Sequence, residues 1–233
     1  YFAKVDVQAA FDTIPQSAIV GLLDSIPQQR HYRISKHVEL ASNDPSTAAD
    51  GKLIPSRPSR KWHATAARRG DKSTFFESLD LGRAEKKRNT VFIDSVVQRK
   101  YETSDLLSLV ASHIQQNLVK IGKKYYRQKQ GIPQGSVLSS TLCNYFYADL
   151  EMQVLAFLDS SESLLLRLID DFLLITPDKA KAVRFVETMH RGVPEYGVSV
   201  NPAKTLTNFD LTVHGVPVAN NAGRSVFPYC GTL

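Results

Sequence analysis

The stretch LLLRLIDDFLLIT, residues 164–176, decides the fold, because two adjacent carboxylates interrupt an otherwise apolar segment. Asp170 and Asp171 are flanked by side chains that favour burial, and a buried carboxylate without a partner is very costly. Either the pair occupies a tight hairpin turn that faces water, or it binds cations. A turn of two aspartates lacks the usual glycine or asparagine, so the pattern favours the cation-binding alternative.

A third carboxylate lies in KVDVQAAFDTIP, residues 4–15. Asp6 stands between two valines in a segment suited to a buried strand; the alternative is that it caps the helix that follows. Together with Asp170 and Asp171 it predicts a cluster of three carboxylates on neighbouring strands. Oxygen ligands of this kind suit Mg²⁺, and two such ions about 3.5–4 Å apart are the usual device for in-line phosphoryl transfer.

The loop QGIPQGS, residues 130–136, precedes a mainly apolar segment that we predict to be helical. Backbone N–H groups at the start of such a helix can receive a phosphate, and the Gln134 amide can hydrogen-bond a nucleotide. The alternative is an ordinary turn.

Composition bounds the remaining possibilities. The chain has 233 residues, of which 42% are hydrophobic, and a net charge of +6. Residues 51–100 hold 13 Lys and Arg against 5 Asp and Glu, so the basic character is concentrated there. This segment is either a solvated insertion or a surface that contacts phosphates. The two cysteines exclude a disulfide scaffold.

No membrane span or signal peptide is predicted. The longest apolar run is broken by Arg167, Asp170 and Asp171, and the opening YFAKVDV carries a charge where a signal peptide would be apolar. Both ends of the chain fall inside predicted strands, from which we expect it to be part of a larger protein.

Hydrophobic spacing and turn residues predict the secondary structure. The predicted helices are 103–119, 136–158 and 179–191. The predicted strands are 1–7, 31–40 and 121–130, with a hairpin-like segment at 164–176.

In this order, the acidic and loop segments resemble the motifs of reverse transcriptases, most closely those of the telomerase family. The similar segments are motif A at 4–16, motif B′ at 123–151, motif C at 164–177, motif D at 191–209 and motif E, the primer grip, at 226–231. The strings DTIPQ and RGVPEYG narrow the resemblance to telomerase. So does the long spacing, since Pro133 lies 127 positions after Asp6 and this family carries an insertion in the fingers at that point.

The resemblance implies an α+β fold, the palm of a right-hand polymerase, with a small antiparallel sheet that carries the acids and is backed by helices. Residues 1–30 and 121–233 would form the palm, ending at the primer grip. Residues 31–120 would form the basic insertion in the fingers domain.

The resemblance also implies the metal ligands. Asp6 and Asp170 would be the main ligands of two Mg²⁺ ions, with Asp171 nearby and the Val7 carbonyl as an extra ligand. One ion would lower the pKa of the primer 3′-hydroxyl, and both would stabilise the developing charge.

Further roles follow by resemblance at matching positions. Phe11 would be the steric gate that excludes a ribose 2′-hydroxyl, although it could equally be a core aromatic. Gln134 and Gly135 would line the dNTP pocket. Lys204 would be the general acid for the leaving pyrophosphate; without the motif, a solvated lysine would be the simpler interpretation.

Three residues near the C-terminal end, Tyr229, Cys230 and Gly231, match the primer grip and would contact nucleic acid. Relatives often have tryptophan where Tyr229 stands. Arg167 and Lys4 flank the acids and are interpreted as structural ion-pair partners instead.

The resemblance implies an RNA-directed DNA polymerase, a nucleotidyltransferase that extends a telomeric DNA primer with dNTPs on a telomerase RNA template. Other domains of the same polypeptide (an RNA-binding domain, fingers and thumb) would be partners, and the location would be nuclear, at chromosome ends. Without those domains we expect the chain to be inactive. The alternatives are a retroelement or group II intron reverse transcriptase, and a non-catalytic polymerase relic that binds nucleic acid.

Overall fold

The computed structural model describes residues 1–42, 46–47, 53–54, 57–67, 75, 79, 85–95, 99–158, 161–223 and 226–230. The chain divides into two compact units, one formed by Tyr1–Ser25 with Val110–Leu233 and the other by Ile26–Leu109. The assignment of palm and fingers insertion to the predicted ranges stays a prediction.

The helices are α1 (Ala10–Thr13), α2 (Gln16–Ser25), α3 (Thr103–Gln115), α4 (Ser139–Gln153) and α5 (Lys179–Arg191). The strands are β1 (Phe2–Asp6), β2 (His31–Ala41), β3 (Ser46–Thr47), β4 (Leu53–Ile54), β5 (Ser59–Ala67), β6 (Thr90–Asp94), β7 (Arg99–Glu102), β8 (Leu118–Ile121), β9 (Lys124–Arg127), β10 (Leu164–Leu168), β11 (Asp171–Ile175), β12 (Leu206–Thr207), β13 (Thr212–Val213), β14 (Val216–Pro217) and β15 (Ala219–Asn220).

The first unit is built on a five-stranded sheet in the order β10-β11-β1-β12-β15. The central strand β1 runs antiparallel to both of its neighbours, while β12 and β15 are parallel. Along β1 the side chains alternate: Ala3 and Val5 are fully buried, while Lys4 and Asp6 are partly exposed. This two-residue period gives the sheet one core face and one outer face.

Helices cover the core face of this sheet. Phe146 and Leu150 of α4 and Phe185 and Met189 of α5 belong to the same buried cluster as Val5. The predicted helix 179–191 is confirmed as α5, with the Asp178 side chain accepting from two backbone N–H groups at its start. The α+β prediction, a small and mainly antiparallel sheet backed by helices, is confirmed.

The second unit is organised around β2, which pairs antiparallel with β5, β6 and β7. The strand predicted at 31–40 is therefore confirmed. Glu39 of β2 is buried and is paired with Lys87 and His63.

Three sequence-based predictions differ from the structure. The single strand predicted at 121–130 is instead a pair of strands, β8 and β9, joined by a turn. The helix predicted at 103–119 ends at Gln115, and Leu118 instead opens a hairpin, β8–β9, that turns at Gly122 with φ +62°. Hydrophobic spacing extended the prediction too far because Leu118 continues the helical period, although its side chain is 66% exposed. The helix predicted at 136–158 is shorter, Ser139–Gln153. Within the described residues, no helix is long and apolar enough to cross a membrane.

Candidate active site

The register between β1 and β11 places two of the predicted carboxylates directly opposite each other. Asp6 pairs with Asp171, one step beyond the pair formed by Val5 and Phe172. Since paired residues share a face, the two aspartates lie on the outer face and their neighbours lie in the core. The backbone N–H of Val7 donates to the Asp170 carbonyl at 3.1 Å, which fixes the third aspartate beside them.

Asp170 occupies a two-residue turn. β10 ends at Leu168, which pairs with Asp171, so Ile169 and Asp170 alone connect the strands. Ile169 has φ +59°, a left-handed conformation that is strained for a β-branched residue. The turn and cation-binding interpretations of this stretch are thus compatible, because the turn lies next to Asp6.

The three carboxylates influence one another electrostatically. Burial raises the pKa of Asp170 above its ordinary value, and the negative charges of Asp171 and Asp6 raise it further, while Lys204 lowers it. Among the described residues, no cationic side chain forms an ion pair with Asp170. Its charge is therefore the least compensated of the three.

Two lysines approach the other carboxylates. Lys204 Nζ lies 3.2 Å and 3.3 Å from the two oxygens of Asp6. Lys4 Nζ lies 3.7 Å from Asp171 Oδ1, a buried oxygen to which no group in the described part of the chain donates a hydrogen bond. Lys204 is presented by the 3₁₀ turn Pro202–Lys204, and the Asn201 N–H just before that turn donates to the Asp6 carbonyl.

The donor set suits a divalent cation in its chemistry. Asp6, Asp170 and Asp171 offer hard oxygen ligands, and among the described residues no donor hydrogen-bonds the buried Oδ1 of Asp171. Over the described ranges, however, no group of three His, Cys, Asp or Glu side chains is spaced to hold a metal ion. Asp6 and Asp171 form ion pairs with Lys204 and Lys4 instead. A metal ion could therefore bind here only after at least one of these carboxylates turns away from its lysine.

The QGIPQGS loop is fastened to motif A by backbone hydrogen bonds. Ile132 N–H donates to the Phe11 carbonyl at 2.7 Å, and Gly131 N–H donates to the Ile14 carbonyl at 3.1 Å. Gly131 has φ +74°, and a Cβ at this position would lie 2.3 Å from the Phe11 oxygen. Only glycine fits this contact. The Gln16 amide adds a hydrogen bond to the Gly131 carbonyl at 2.9 Å.

The predicted nucleotide residues lie along this junction. Phe11 is half-buried against the core cluster, which accords with either of its two interpretations. Gln134 and Gly135 are exposed, immediately after the fastened part of the loop. Their contact with a nucleotide stays a prediction.

Motif D holds motif A from another direction. Gly197 has φ +63°, and a Cβ there would lie 2.1 Å from the Thr13 carbonyl oxygen. Gln8 N–H donates to the Ser199 carbonyl at 2.7 Å, next to the bridge between Val7 and Val200. The motif A turn is therefore held by both motif B′ and motif D.

The primer-grip candidates lie against Asp171. The Tyr229 hydroxyl donates to the Asp171 carbonyl at 3.1 Å, and Cys230 Sγ lies 3.5 Å from Asp171 Oδ2. Burial raises the pKa of Tyr229 to about 12 and also raises the pKa of Cys230. Gly231 lies outside the described residues.

The structural interpretation of Arg167 is confirmed. Its guanidinium pairs with Glu151, donates to Asn144 and lies over the rings of Tyr147 and Phe172. Lys4 also forms an ion pair, and its partner is a predicted metal ligand.

Sequence reasoning missed the roles of Gln16 and Tyr196 in fastening the motifs. Tyr196 donates to Asp149 at 2.6 Å, and Gln16 reaches Gly131. No local pattern could have found these pairs, since their members lie 47 and 115 positions apart.

Residues 33–214 match the family model described as "Reverse transcriptase (RNA-dependent DNA polymerase)". The match contains Asp170, Asp171 and the QGIPQGS loop, which the geometry above joins to Asp6. The chain belongs to the reverse transcriptase family. Reverse transcriptases use divalent metal ions, in line with the oxygen donors gathered here.

Curated relatives of this reverse transcriptase chain include telomerase reverse transcriptases. The chain is 33% identical to that of Bos taurus over 240 residues, which cover 100% of the chain and 20% of the relative. It is 27% identical to that of Euplotes aediculatus, covering 91% of the chain and 22% of the relative. The chain thus spans about a fifth of the length of these relatives, and its resemblance to the telomerase family is confirmed.

Solved structures agree with this reverse transcriptase in fold. The structure of telomerase from Candida albicans in complex with the TWJ fragment of telomeric RNA matches with a TM-score of 0.56 at 21% identity. It covers 100% of this chain, which spans 31% of that one. Apo telomerase from Candida tropicalis matches with a TM-score of 0.55 at 21% identity, over 96% of this chain and 29% of that one.

Proposed function

We propose that this chain is the palm and fingers-insertion part of a telomerase reverse transcriptase. The complete protein would add deoxynucleotides to a telomeric DNA 3′ end, directed by an RNA template. The observation that carries this proposal is the placement of Asp6 opposite Asp171, with Asp170 in the adjoining turn, in a chain whose relatives include telomerase enzymes.

A telomerase RNA is the proposed partner, together with a telomeric DNA primer, dNTPs and further domains of the same polypeptide. The Candida albicans telomerase with a similar fold was solved in complex with a fragment of telomeric RNA, which supports an RNA partner for this chain.

Asp6, Asp170, the Val7 carbonyl and Asp171 would hold two Mg²⁺ ions. When bound, such ions activate the primer 3′-hydroxyl and stabilise charge on the transferring phosphoryl group. Lys204 neutralises Asp6 in the protein alone, and its ammonium group would give a proton to the leaving pyrophosphate.

The remaining residues would select and orient the nucleotide. The Phe11 ring would exclude a ribose 2′-hydroxyl, and the exposed Gln134 and Gly135 would back the base and sugar. The hydrogen bonds from Ile132 and Gly131 to motif A hold the loop that carries Gln134 and Gly135 beside the turn that carries Phe11.

The test is primer extension by the full-length protein with its RNA, comparing wild type with Asp170→Ala. The matched control is Glu162→Ala, because Glu162 is an exposed carboxylate just before the β10–β11 hairpin that carries Asp170. We expect the wild type and the control to add templated repeats, and Asp170→Ala to bind primer but lose synthesis. Synthesis by Asp170→Ala at the wild-type rate would show that the carboxylates are structural.

Two other outcomes identify the alternatives. Wild-type protein that copies unrelated RNA templates but adds no telomeric repeat would indicate a retroelement or group II intron enzyme. Wild-type protein that binds nucleic acid without any synthesis would indicate a polymerase relic.

A nuclear location is proposed by the same resemblance. Fluorescently tagged full-length protein should accumulate in the nucleus with foci at chromosome ends, and a uniformly cytoplasmic signal would contradict this.

A further inference from the structure

The segment of residues 226–230 lies over the outer face of the catalytic sheet. The Phe227 and Phe2 rings pack at a tilt with their centroids 5.5 Å apart, and the Asn221 amide donates to the Val226 carbonyl at 2.7 Å. Phe2, Lys4 and Asp6 share the outer face of β1. The segment is thus fixed to the face that displays the carboxylates.

Tyr229 uses its polar end within the protein. Its hydroxyl donates to the Asp171 carbonyl at 3.1 Å, and its side chain is half-buried. Asp171 is the first residue after the turn that carries Asp170.

The carboxylate of Asp171 is approached by two further groups. Lys4 lies 3.7 Å from Oδ1, and Cys230 lies 3.5 Å from Oδ2. Asp171 therefore has one contact from its neighbouring strand and two from the segment that follows the sheet. It joins this segment to the catalytic turn.

That turn needs external support. Ile169 is held in a left-handed conformation, which is strained for a β-branched residue and persists only where surrounding contacts determine it. The Tyr229 hydroxyl and the Val7 N–H are bonded to the two carbonyls at positions 171 and 170. Together they determine where the Asp170 carboxylate lies.

We propose that Tyr229 is a positioning residue, whose hydroxyl holds the 168–171 turn so that Asp170 meets Asp6. This differs from a side chain that grips the primer, as the motif E resemblance implies for the segment. The inference rests on the proposed function, since the orientation of Asp170 matters through metal binding and synthesis.

The experiment uses full-length protein with its RNA and compares wild type with Tyr229→Phe, which removes only the hydroxyl. Tyr125→Phe is the control, because Tyr125 is 67% exposed on the β8–β9 hairpin. We expect Tyr229→Phe to lower kcat about five- to tenfold, the effect of one lost hydrogen bond, with the primer KM unchanged within about twofold.

A second measurement is independent of activity. Mn²⁺ binding followed by electron paramagnetic resonance should be weakened about fivefold or more in Tyr229→Phe and unchanged in Tyr125→Phe.

The outcomes separate the two proposals. A Tyr229→Phe enzyme with raised primer KM and unchanged kcat and Mn²⁺ affinity would overturn the positioning role in favour of primer contact. A variant equal to wild type in all three quantities would overturn it too. Failure of the wild-type protein to extend any primer would instead overturn the proposed function.

Discussion

Lys204 and Asp6 form an ion pair, with 3.2 Å between Nζ and Oδ1, although 198 positions separate them in the sequence. The lysine thus stands where a cation is expected. Under the proposed function it would compete with a metal ion for Asp6, and during synthesis it would act as an acid toward the leaving group.

Lys204→Ala and Lys204→Arg separate these two effects. Alanine should lower the rate of primer extension about 100-fold and also lower the Mg²⁺ concentration at half-maximal rate, because Asp6 is released. Arginine should lower the rate similarly but leave the Mg²⁺ dependence near wild type, since a guanidinium keeps the charge and does not give up its proton. Mg²⁺ titrations of both, with Lys123→Ala as control, make the comparison. Wild-type rates in Lys204→Ala would identify a solvated lysine.

Gly131→Ala should destabilise the chain by about 2–5 kcal/mol, because the methyl group meets the Phe11 oxygen and the backbone is left-handed. Gly122→Ala is the matched control, since Gly122 has φ +62° but nothing within 4 Å of the added Cβ. It should cost only about 1–2 kcal/mol. Urea unfolding of the two variants measures the difference. An equal loss of unfolding free energy in both variants would mean that the motif B′ loop can shift away from motif A at little cost.

Asp170→Asn should raise the melting temperature at neutral pH without metal. Burial and the neighbouring carboxylates raise the pKa of Asp170 in the folded protein, so its ionised form is destabilising. That penalty is absent below the ordinary value of 3.8 and develops as the pH rises through the raised folded value. The gain should therefore vanish in acid. Melting curves from acid to neutral pH test this, with Glu162→Gln as control; a gain independent of pH would contradict the assignment.

Phe11→Ala should lower the preference for dNTPs over rNTPs about 10- to 100-fold, because the half-buried ring would no longer meet the 2′-hydroxyl. Phe11→Tyr keeps the bulk and should keep the preference. Single-nucleotide incorporation with matched dNTP and rNTP pairs measures the ratio. A lower melting temperature with an unchanged ratio would identify Phe11 as a core aromatic only.

The carboxylate cluster could be anticipated because burying an aspartate in an apolar strand costs free energy unless its charge is paired or binds a cation. Asp6 stands in β1, where buried and partly exposed side chains alternate, but Asp171 opens the continuously apolar β11, so the register between the two strands sets their common face. The sequence predicted an ion pair for Lys4, but not which acid each of the two lysines would reach. Lys4 reaches Asp171 across strands, and Lys204 reaches Asp6 from a short turn with no period of its own.

The direction of Tyr229 was equally beyond sequence reasoning. Residues 226–230 form no long regular element, so no period indicates which side chains turn toward the sheet. At the β8–β9 hairpin the error was of another kind. A helical period was present in the sequence there, but it continued only by chance from α3 into Leu118, which is a strand residue. The Tyr229 hydrogen bond joins residues 58 positions apart, which no local pattern encodes, whereas the hairpin is a local element that the helical period concealed.

The central position of β1 has a consequence for biosynthesis. This strand is made before its two partners, β11 and β12, which lie about 165 to 205 positions further along the chain. At about 5–20 residues per second, the ribosome leaves its apolar residues unpaired for roughly ten seconds or longer. Formation of the catalytic sheet must then close very long loops, which slows folding. A nascent chain with an unpaired Ala3–Val5–Val7 edge is therefore a natural client for chaperones that shield extended apolar segments.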